Sequence, residues 1–248
     1  MACVPRILSV DRYRARLDNI PTGWYKDKMK TTAREKLLDA ALATVREKGY
    51  AATSVDDLCG RAGVTKGAFF HHFRSKDALA AAAADHWSAT TAGLFAGADY
   101  HRHADPLDRI LAYVDFRAEL VRGEIPEFTC LVGTMVQEAY GTSGAIRDAC
   151  WRSIAGHAQT LEDDIAAGIE KYNVSGVTPE SLALYTQATI QGAFILAKAK
   201  NDPGVAIDMI GHLRRYIELL FERGAGARET EKRPAPGRSS ARGDRNEH

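Results

Sequence analysis

The side chains best placed to do chemistry in this chain fall in one stretch, Thr53 to Leu79, which reads TSVDDLCGRAGVTKGAFFHHFRSKDAL. Two short amphipathic segments meet at Ala62-Gly63-Val64, and the second carries Lys66, Phe69, Phe70, His71 and His72. Basic and hydrogen-bonding groups on a short helix that follows a tight glycine turn are the parts of a helix-turn-helix DNA reader. The chemistry is recognition of phosphates and base edges. Elsewhere the chain has no GxSxG, no HExxH, no Rossmann fingerprint and no nucleophile with a matching base. Gly63-Val64-Thr65-Lys66-Gly67 lacks the GxxxxGK[ST] spacing of a phosphate loop and a preceding strand, so nucleotide binding is rejected.

The elements that must position this reader begin at Thr32-Ala33-Arg34-Glu35, where a hydroxyl and a carboxylate three apart form a capping box. Leu37, Leu38, Ala41, Leu42 and Val45 follow at helical spacing, and Gly49 ends the segment. Ser54-Val55-Asp56-Asp57 repeats the capping logic for a short second helix whose Val55, Leu58, Cys59 and Ala62 face inward. Gly63 can take the left-handed conformation that ends it. A third helix begins near Thr65. Phe69 and Phe73 share one face and seal a small three-helix core, while Lys66, Phe70 and His71 point elsewhere. Ser75 caps a fourth helix, with Asp77 favouring its dipole and an alanine run to Ala84. Running to about Gly97, it would be roughly 33 Å long, enough to leave the reader and enter the next domain.

Beyond Tyr100, Asp105-Pro106, Thr178-Pro179 and Asp202-Pro203 each put a capping side chain before a proline at the first helical position, and Ser143 is a further candidate cap. Helices are expected at about 105–122, 127–139, 143–172, 178–200 and 203–222. No strand pattern accompanies them, and the fold class is all-α.

The order and spacing of Gly49-Tyr50, Thr53-Ser54-Val55, Leu58, Arg61-Ala62-Gly63-Val64, Thr65-Lys66-Gly67, His72-Phe73, Ser75-Lys76-Asp77 and Leu79 resemble the TetR family of bacterial transcriptional regulators. About 50 residues, Thr32 to Leu79, carry the resemblance. It implies that Thr53, Thr65, Lys66, Gly67, Ala68, Phe70, His71 and Lys76 lie at positions that meet DNA. Physical chemistry agrees: Lys66 can reach a guanine edge or a phosphate, and the short Gly67 and Ala68 let the helix sit deep in the major groove. Lys76 at the next helix start can bind phosphate with backbone N–H groups. Phe70 departs from the tyrosine common in the family and cannot donate to a phosphate; His71 is the substitute, with His72 given a packing role.

In the body, Ala188, Gly192 and Ile195 on one helix and Ile210, Leu213, Ile217 and Leu220 on the next mix small residues with an apolar stripe that needs a partner. The resemblance implies that these last two helices pair with their copies as a four-helix dimer interface, the alternative being an internal core. A two-fold operator requires two readers about one DNA turn apart. Trp87, Phe116, Phe128, Met135, Trp151 and Tyr185 are candidates to line an apolar effector pocket between the helices. Some TetR-like regulators sense electrophiles or oxidants through a cysteine placed comparably to Cys130, although no cation is near it in sequence. His101, His103 and Asp105 lack a fourth ligand, so no metal and no cofactor is expected.

Composition sets the frame. The 248 residues are 45% apolar and 26% charged, with a net charge of +1. Residues 26–85 hold 11 basic against 8 acidic side chains, and residues 86–222 hold 11 against 18. That polarity suits a molecule with one end facing phosphate. The longest apolar runs are far too short to span a membrane. Four scattered cysteines without CxxC or a secretory signal fit a reduced cytoplasmic protein.

The domain reading is an N-terminal extension over 1–30, with Met29 a candidate natural start; a DNA-binding domain over 31–91, its helix-turn-helix at about 54–73; a ligand-binding and dimerisation domain over 92–222; and a disordered tail over 223–248. The expected function is a dimeric repressor, not an enzyme, released from a palindromic double-stranded DNA operator by a small-molecule effector. The alternatives are a redox or electrophile sensor acting through Cys130, and a helical enzyme or ligand carrier.

Overall fold

A computed structural model describes residues 32–231, with side chains to 222. The N-terminal extension, including Met29, and the tail beyond 231 lie outside the described residues. Those described form helices and no strand: α1 (Ala33–Lys48), α2 (Val55–Ala62), α3 (Lys66–His72), α4 (Lys76–Ala96), α5 (Pro106–Glu119), α6 (Ile125–Phe128), α7 (Leu131–Ala139), α8 (Gly144–Gln159), α9 (Glu162–Tyr172), α10 (Pro179–Lys200) and α11 (Pro203–Glu231), with a 3-10 turn at Asp99–Arg102.

The caps explain most of these boundaries. Ser54 Oγ accepts the Asp57 N–H at 3.1 Å while the Asp57 carboxylate accepts the Ser54 N–H at 2.8 Å, a reciprocal capping box for α2. Gly63 closes α2 at φ 64°, in the left-handed region. Thr65, Ser75, Asp105 and Thr178 cap α3, α4, α5 and α10 through their side chains.

Three expected boundaries are corrected. The segment 127–139 is two helices, because Thr129 and Cys130 are extended and Thr129 is buried. The segment 143–172 breaks at Thr160-Leu161, where Thr160 Oγ1 donates to the His157 carbonyl at 2.7 Å and competes for the last turn of α8. The last helix continues past 222 to Glu231 rather than giving way to a tail at 223; Ala225, Ala227, Arg228 and Glu229 are strong helix formers and no proline intervenes before Pro234. Ser143 stands at the N-cap position of α8 but makes no capping bond; its side chain instead contributes to lowering the Asp77 pKa.

Two apolar clusters hold the fold. The first joins Leu37, Leu58, Phe69 and Leu79 of α1–α4 to Leu131, Met135, Ile146 and Cys150 of α7 and α8. The second gathers Phe95, Tyr113, Leu182, Ile190, Ile210 and Phe221 around α5 and α9–α11. The α4 helix supplies Leu79–Ala84 to one and Phe95 to the other, so the expected boundary at 91/92 falls inside a continuous helix. Its 21 residues span roughly 31 Å. Cys130 packs against both clusters.

Candidate nucleic-acid interface and effector core

Phe69 is fully buried and Phe73 nearly so, which leaves the other face of α3 outward. Thr65 Oγ1 accepts the Ala68 N–H at 3.1 Å, so it acts as the helix cap while remaining at the surface. Lys66, Gly67, Phe70 and His71 are exposed, Ala68 half-buried. Phe70 keeps 57% of its surface and stacks edge-on against Phe69 at 5.1 Å, so its ring stands out from the helix. Lys66 pairs with Asp56 at 2.8 Å, both well exposed, a bridge that a phosphate can replace.

His72, expected to pack, is exposed instead, its ring 4.9 Å from that of His71. A seven-residue helix has only one inward edge, and Phe69 with Phe73 fills it.

Two expected contacts turn inward. Thr53 is 2% exposed, and its hydroxyl donates to the Gly49 carbonyl at 2.6 Å. Lys76 Nζ donates to the carbonyls of Tyr50 (3.1 Å) and Thr53 (2.9 Å) and sits 4.3 Å from the Tyr50 ring centre. The ammonium thereby satisfies carbonyls of the α1–α2 turn, a local demand that outcompetes a solvent-facing role. Tyr50 Oη donates to Asp77 at 2.5 Å, and this bond, followed by that from Ser143, holds the Asp77 carboxyl below its ordinary range.

Sequence reasoning missed Arg34, an exposed residue at the start of α1 whose guanidinium lies 5.5 Å from the Phe73 ring and so beside the end of α3. It also missed exposed Arg74. Adjacency to Phe73 was a signal for Arg74; nothing local signalled Arg34.

The six expected pocket residues do not converge. Met135 is fully buried in the first cluster, where it lines a small space with Thr53 and Lys76. Trp87 packs at the edge of the same cluster, 5.2 Å from the Arg46 guanidinium. Trp151 and Tyr185 are 57% and 44% exposed and face outward. Only Phe116 and Phe128 reach the second cluster, against Phe95 and Phe194. Helical spacing specified that these side chains had faces to bury, but not which neighbouring helix covers them.

The centre of the second cluster is polar. Tyr113, fully buried, has its hydroxyl 2.9 Å from His157 Nε2 and accepts from Gln187 Nε2 at 3.0 Å. Arg117 Nη1 donates to Tyr113 Oη at 3.2 Å and approaches His157 Nε2 at 3.3 Å. Burial first, and then the nearby guanidinium, depress the His157 pKa to about 3, so its imidazole is neutral near pH 7. With Nε2 accepting, the proton is assigned to Nδ1.

On α10 and α11 the expected interface divides. Ile210, Leu213 and Ile217 are at most 1% exposed and belong to the internal core, as corrections to their expected role. Ala188 and Ile195 are exposed, Gly192 and Leu220 half-buried. The apolar face left open instead includes Tyr185, Leu196, Ile207, Tyr216 and Leu219, each at least 39% exposed. Among the described residues, no atom outside the local helix backbone lies within 4 Å of a Cβ placed on Gly192 or Gly211.

Cys130 is half-buried, and Lys198 from α10 lies within its electrostatic reach, a cation that sequence proximity did not reveal. Burial, then Cys130, pushes the Cys150 thiol up to about 12. His101 is engaged with the Phe95 carbonyl at 3.0 Å, and Asp105 with the α5 cap, Lys171 and Tyr172.

Residues 37–83 match the family described as "Bacterial regulatory proteins, tetR family", and residues 106–213 match "Tetracyclin repressor-like, C-terminal domain". The chain is 24% identical over 194 residues to the HTH-type transcriptional repressor DhaR of Mycobacterium sp. (strain GP1), covering 78% of this chain and 92% of that one. It is 27% identical over 176 residues to the transcriptional regulator AcuR of Cereibacter sphaeroides, covering 69% and 78%. Among solved structures, a TetR transcriptional regulator from Chloroflexus aurantiacus superposes with a TM-score of 0.64 at 27% identity over 75% of this chain and 94% of that one. The regulatory protein TetR from Rhodobacter sphaeroides does so at 0.66 and 24%, over 75% and 98%, a likeness of fold. With its reader, its all-helical body and both domain models in agreement, the chain belongs to the TetR family of bacterial transcriptional regulators.

Proposed function

We propose that the protein is a cytoplasmic repressor that binds a palindromic DNA operator as a homodimer and is released by a small-molecule effector bound in its helical body. The observation that carries this reading is the outward face of α3. Lys66, Gly67, Phe70 and His71 are exposed together on a helix locked from behind by Phe69 and Phe73. A short rigid helix with a cation and small residues at its start fits a major groove. Arg34, His72 and Arg74 extend the cationic and hydrogen-bonding surface, and Lys76 and Thr53 serve it by holding the α1–α2 turn.

The exposed apolar face of α10 and α11 supports the dimer. The Tyr185 and Tyr216 rings meet at 5.0 Å across the two helices, tilted by 50°, and Gly192 and Gly211 leave room for a close helix approach. An effector site in the second cluster would reach the reader through α8 and α4, which meet at Ser153 and Ser88, 2.7 Å apart. No effect on DNA can exceed the effector's preference for one dimer shape over the other.

Selection of duplexes from a random library, followed by titration at several salt concentrations, tests the reading. A two-fold symmetric sequence bound at least about 1,000-fold more tightly than random duplex is expected, with affinity falling as salt rises. Equal affinity for both would overturn it.

A further inference from the structure

The centre of the body holds a cation without an anion. Arg117 is 8% exposed, and among the described residues no carboxylate pairs with it. Its neighbours are neutral: the Tyr113 hydroxyl, the His157 imidazole, the Gln187 amide one bond further, and the rings of Phe95 and Phe194 at 5.4 and 5.9 Å. Two acids on the packed helices are committed elsewhere, Asp115 to Arg214 and Asp164 to Arg109. A buried charge is costly unless paired, and aromatic faces offset only part of that cost.

Tyr113 Oη is saturated, accepting from Arg117 and Gln187 and donating to His157. Among the described residues, all hydrogen bonds of the Arg117 guanidinium run through Nη1, which leaves Nε–H and the Nη2 hydrogens without an acceptor there. Arg117 as a whole keeps 8% of its surface, whereas the partnerless Nε and Nη2 of Arg122 are fully enclosed. A guanidinium edge offering Nε–H and Nη2–H in parallel is the geometry that a carboxylate accepts bidentately. One positive charge calls for one negative charge, and the surrounding wall of Phe95, Phe116 and Phe194 is apolar.

We infer that Arg117 anchors the carboxylate of a small apolar monocarboxylic acid, which is the effector that shifts the protein on DNA. The inference rests on the effector-release reading above. His157 lies on α8 one turn beyond Ser153, which meets α4 at Ser88. An anion drawn onto Arg117 therefore acts on the helix pair that runs back to the reader.

The test uses the full chain and the duplex that it selects from a random library. Linear monocarboxylates from acetate to octanoate, together with benzoate, are each compared with the matching primary amide, and inorganic phosphate is included. Thermal midpoint and release of DNA are read in parallel. At least one acid is expected to raise the midpoint and release DNA at a concentration about 10- to 100-fold below that of its amide, the factor a charge-assisted bidentate pair supplies. Arg117→Gln is expected to hold the duplex like the parent and to lose the acid response by a similar factor, with Arg117→Lys restoring part of it.

Acids no better than their amides, a response to phosphate alone, no response to any acid, or an undiminished response in Arg117→Gln would each overturn the inference. If Arg117→Gln does not fold, the acid-against-amide comparison on the parent protein decides. If no duplex is preferred over random DNA, the regulator reading fails, while the thermal midpoint still decides carboxylate binding.

Discussion

Glu138, on α7, accepts the backbone N–H of Tyr50 at 3.2 Å, and its other oxygen accepts the N–H of Ala51 at 2.7 Å. A carboxylate from the body thus clamps the turn between the first two helices of the reader, 88 residues earlier in the chain. The clamp needs Gly49: its φ of 87° is left-handed, and a Cβ there would lie 2.6 Å from Glu138 Oε1. On the other side, Lys76 secures the same turn by its carbonyls. Glu138→Ala should cost about 1–3 kcal/mol, the value of charge-assisted bonds to backbone donors, and should accelerate hydrogen exchange at Tyr50 and Ala51. Unchanged exchange at both amides would show that the clamp does not hold in solution.

Lys66 and Lys76 separate binding from stability. Lys66→Ala should leave the melting temperature unchanged, weaken every duplex and lower the salt slope by about one. Lys76→Met should lower the melting temperature, because two turn carbonyls and the Tyr50 ring lose their cation. Paired calorimetry and DNA titrations check both; equal melting temperatures for the two variants would contradict the inward placement of Lys76.

Phe70→Tyr adds a hydroxyl to a ring that already projects into solvent, so it meets no packing obstacle. One added phosphate hydrogen bond, worth about 1 kcal/mol, should tighten binding to all duplexes alike by roughly fivefold. A changed order of preference among duplexes would mean instead that residue 70 reads bases.

The buried His157 makes stability depend on pH. Its native pKa, about 3, lies below the 6.5 of an unhindered imidazole, so the unfolded chain binds the extra proton between these values. Stability should therefore fall as pH drops through that window, by up to about 1.4 kcal/mol per pH unit from this one group. Chemical denaturation from pH 7 to pH 4 should show a shallower slope for His157→Gln than for the parent. The same slope in both would exclude His157 as its source.

The α10–α11 face and the core beneath it respond oppositely to charge. Ile195→Lys, at a position 46% exposed, should yield a folded chain with parental helicity that sediments as a monomer and binds DNA weakly. Ile210→Lys places a charge at a 1% exposed position and should prevent folding. Sedimentation of Ile195→Lys at the parent's mass would remove this face as the dimer contact.

The sequence by itself determined the helices and the reader. Caps at Ser54, Thr65, Ser75, Asp105 and Thr178, the left-handed Gly63 and the inward pair Phe69 and Phe73 follow from interactions spanning four or five residues, which a linear reading sees. Tertiary structure decided the destination of each side chain. Lys76 and Thr53 look alike in sequence whether they meet a phosphate or their own turn; Met135 went to the reader's core, Trp151 and Tyr185 to the surface, and Ile210, Leu213 and Ile217 inside rather than to a partner. The Arg117–Tyr113–His157–Gln187 cluster unites residues up to 74 apart in sequence. Periodicity specifies that a helix has a face to bury. Which helix covers that face depends on crossing and close packing among distant segments, and there a buried cation and its neutral neighbours were brought together.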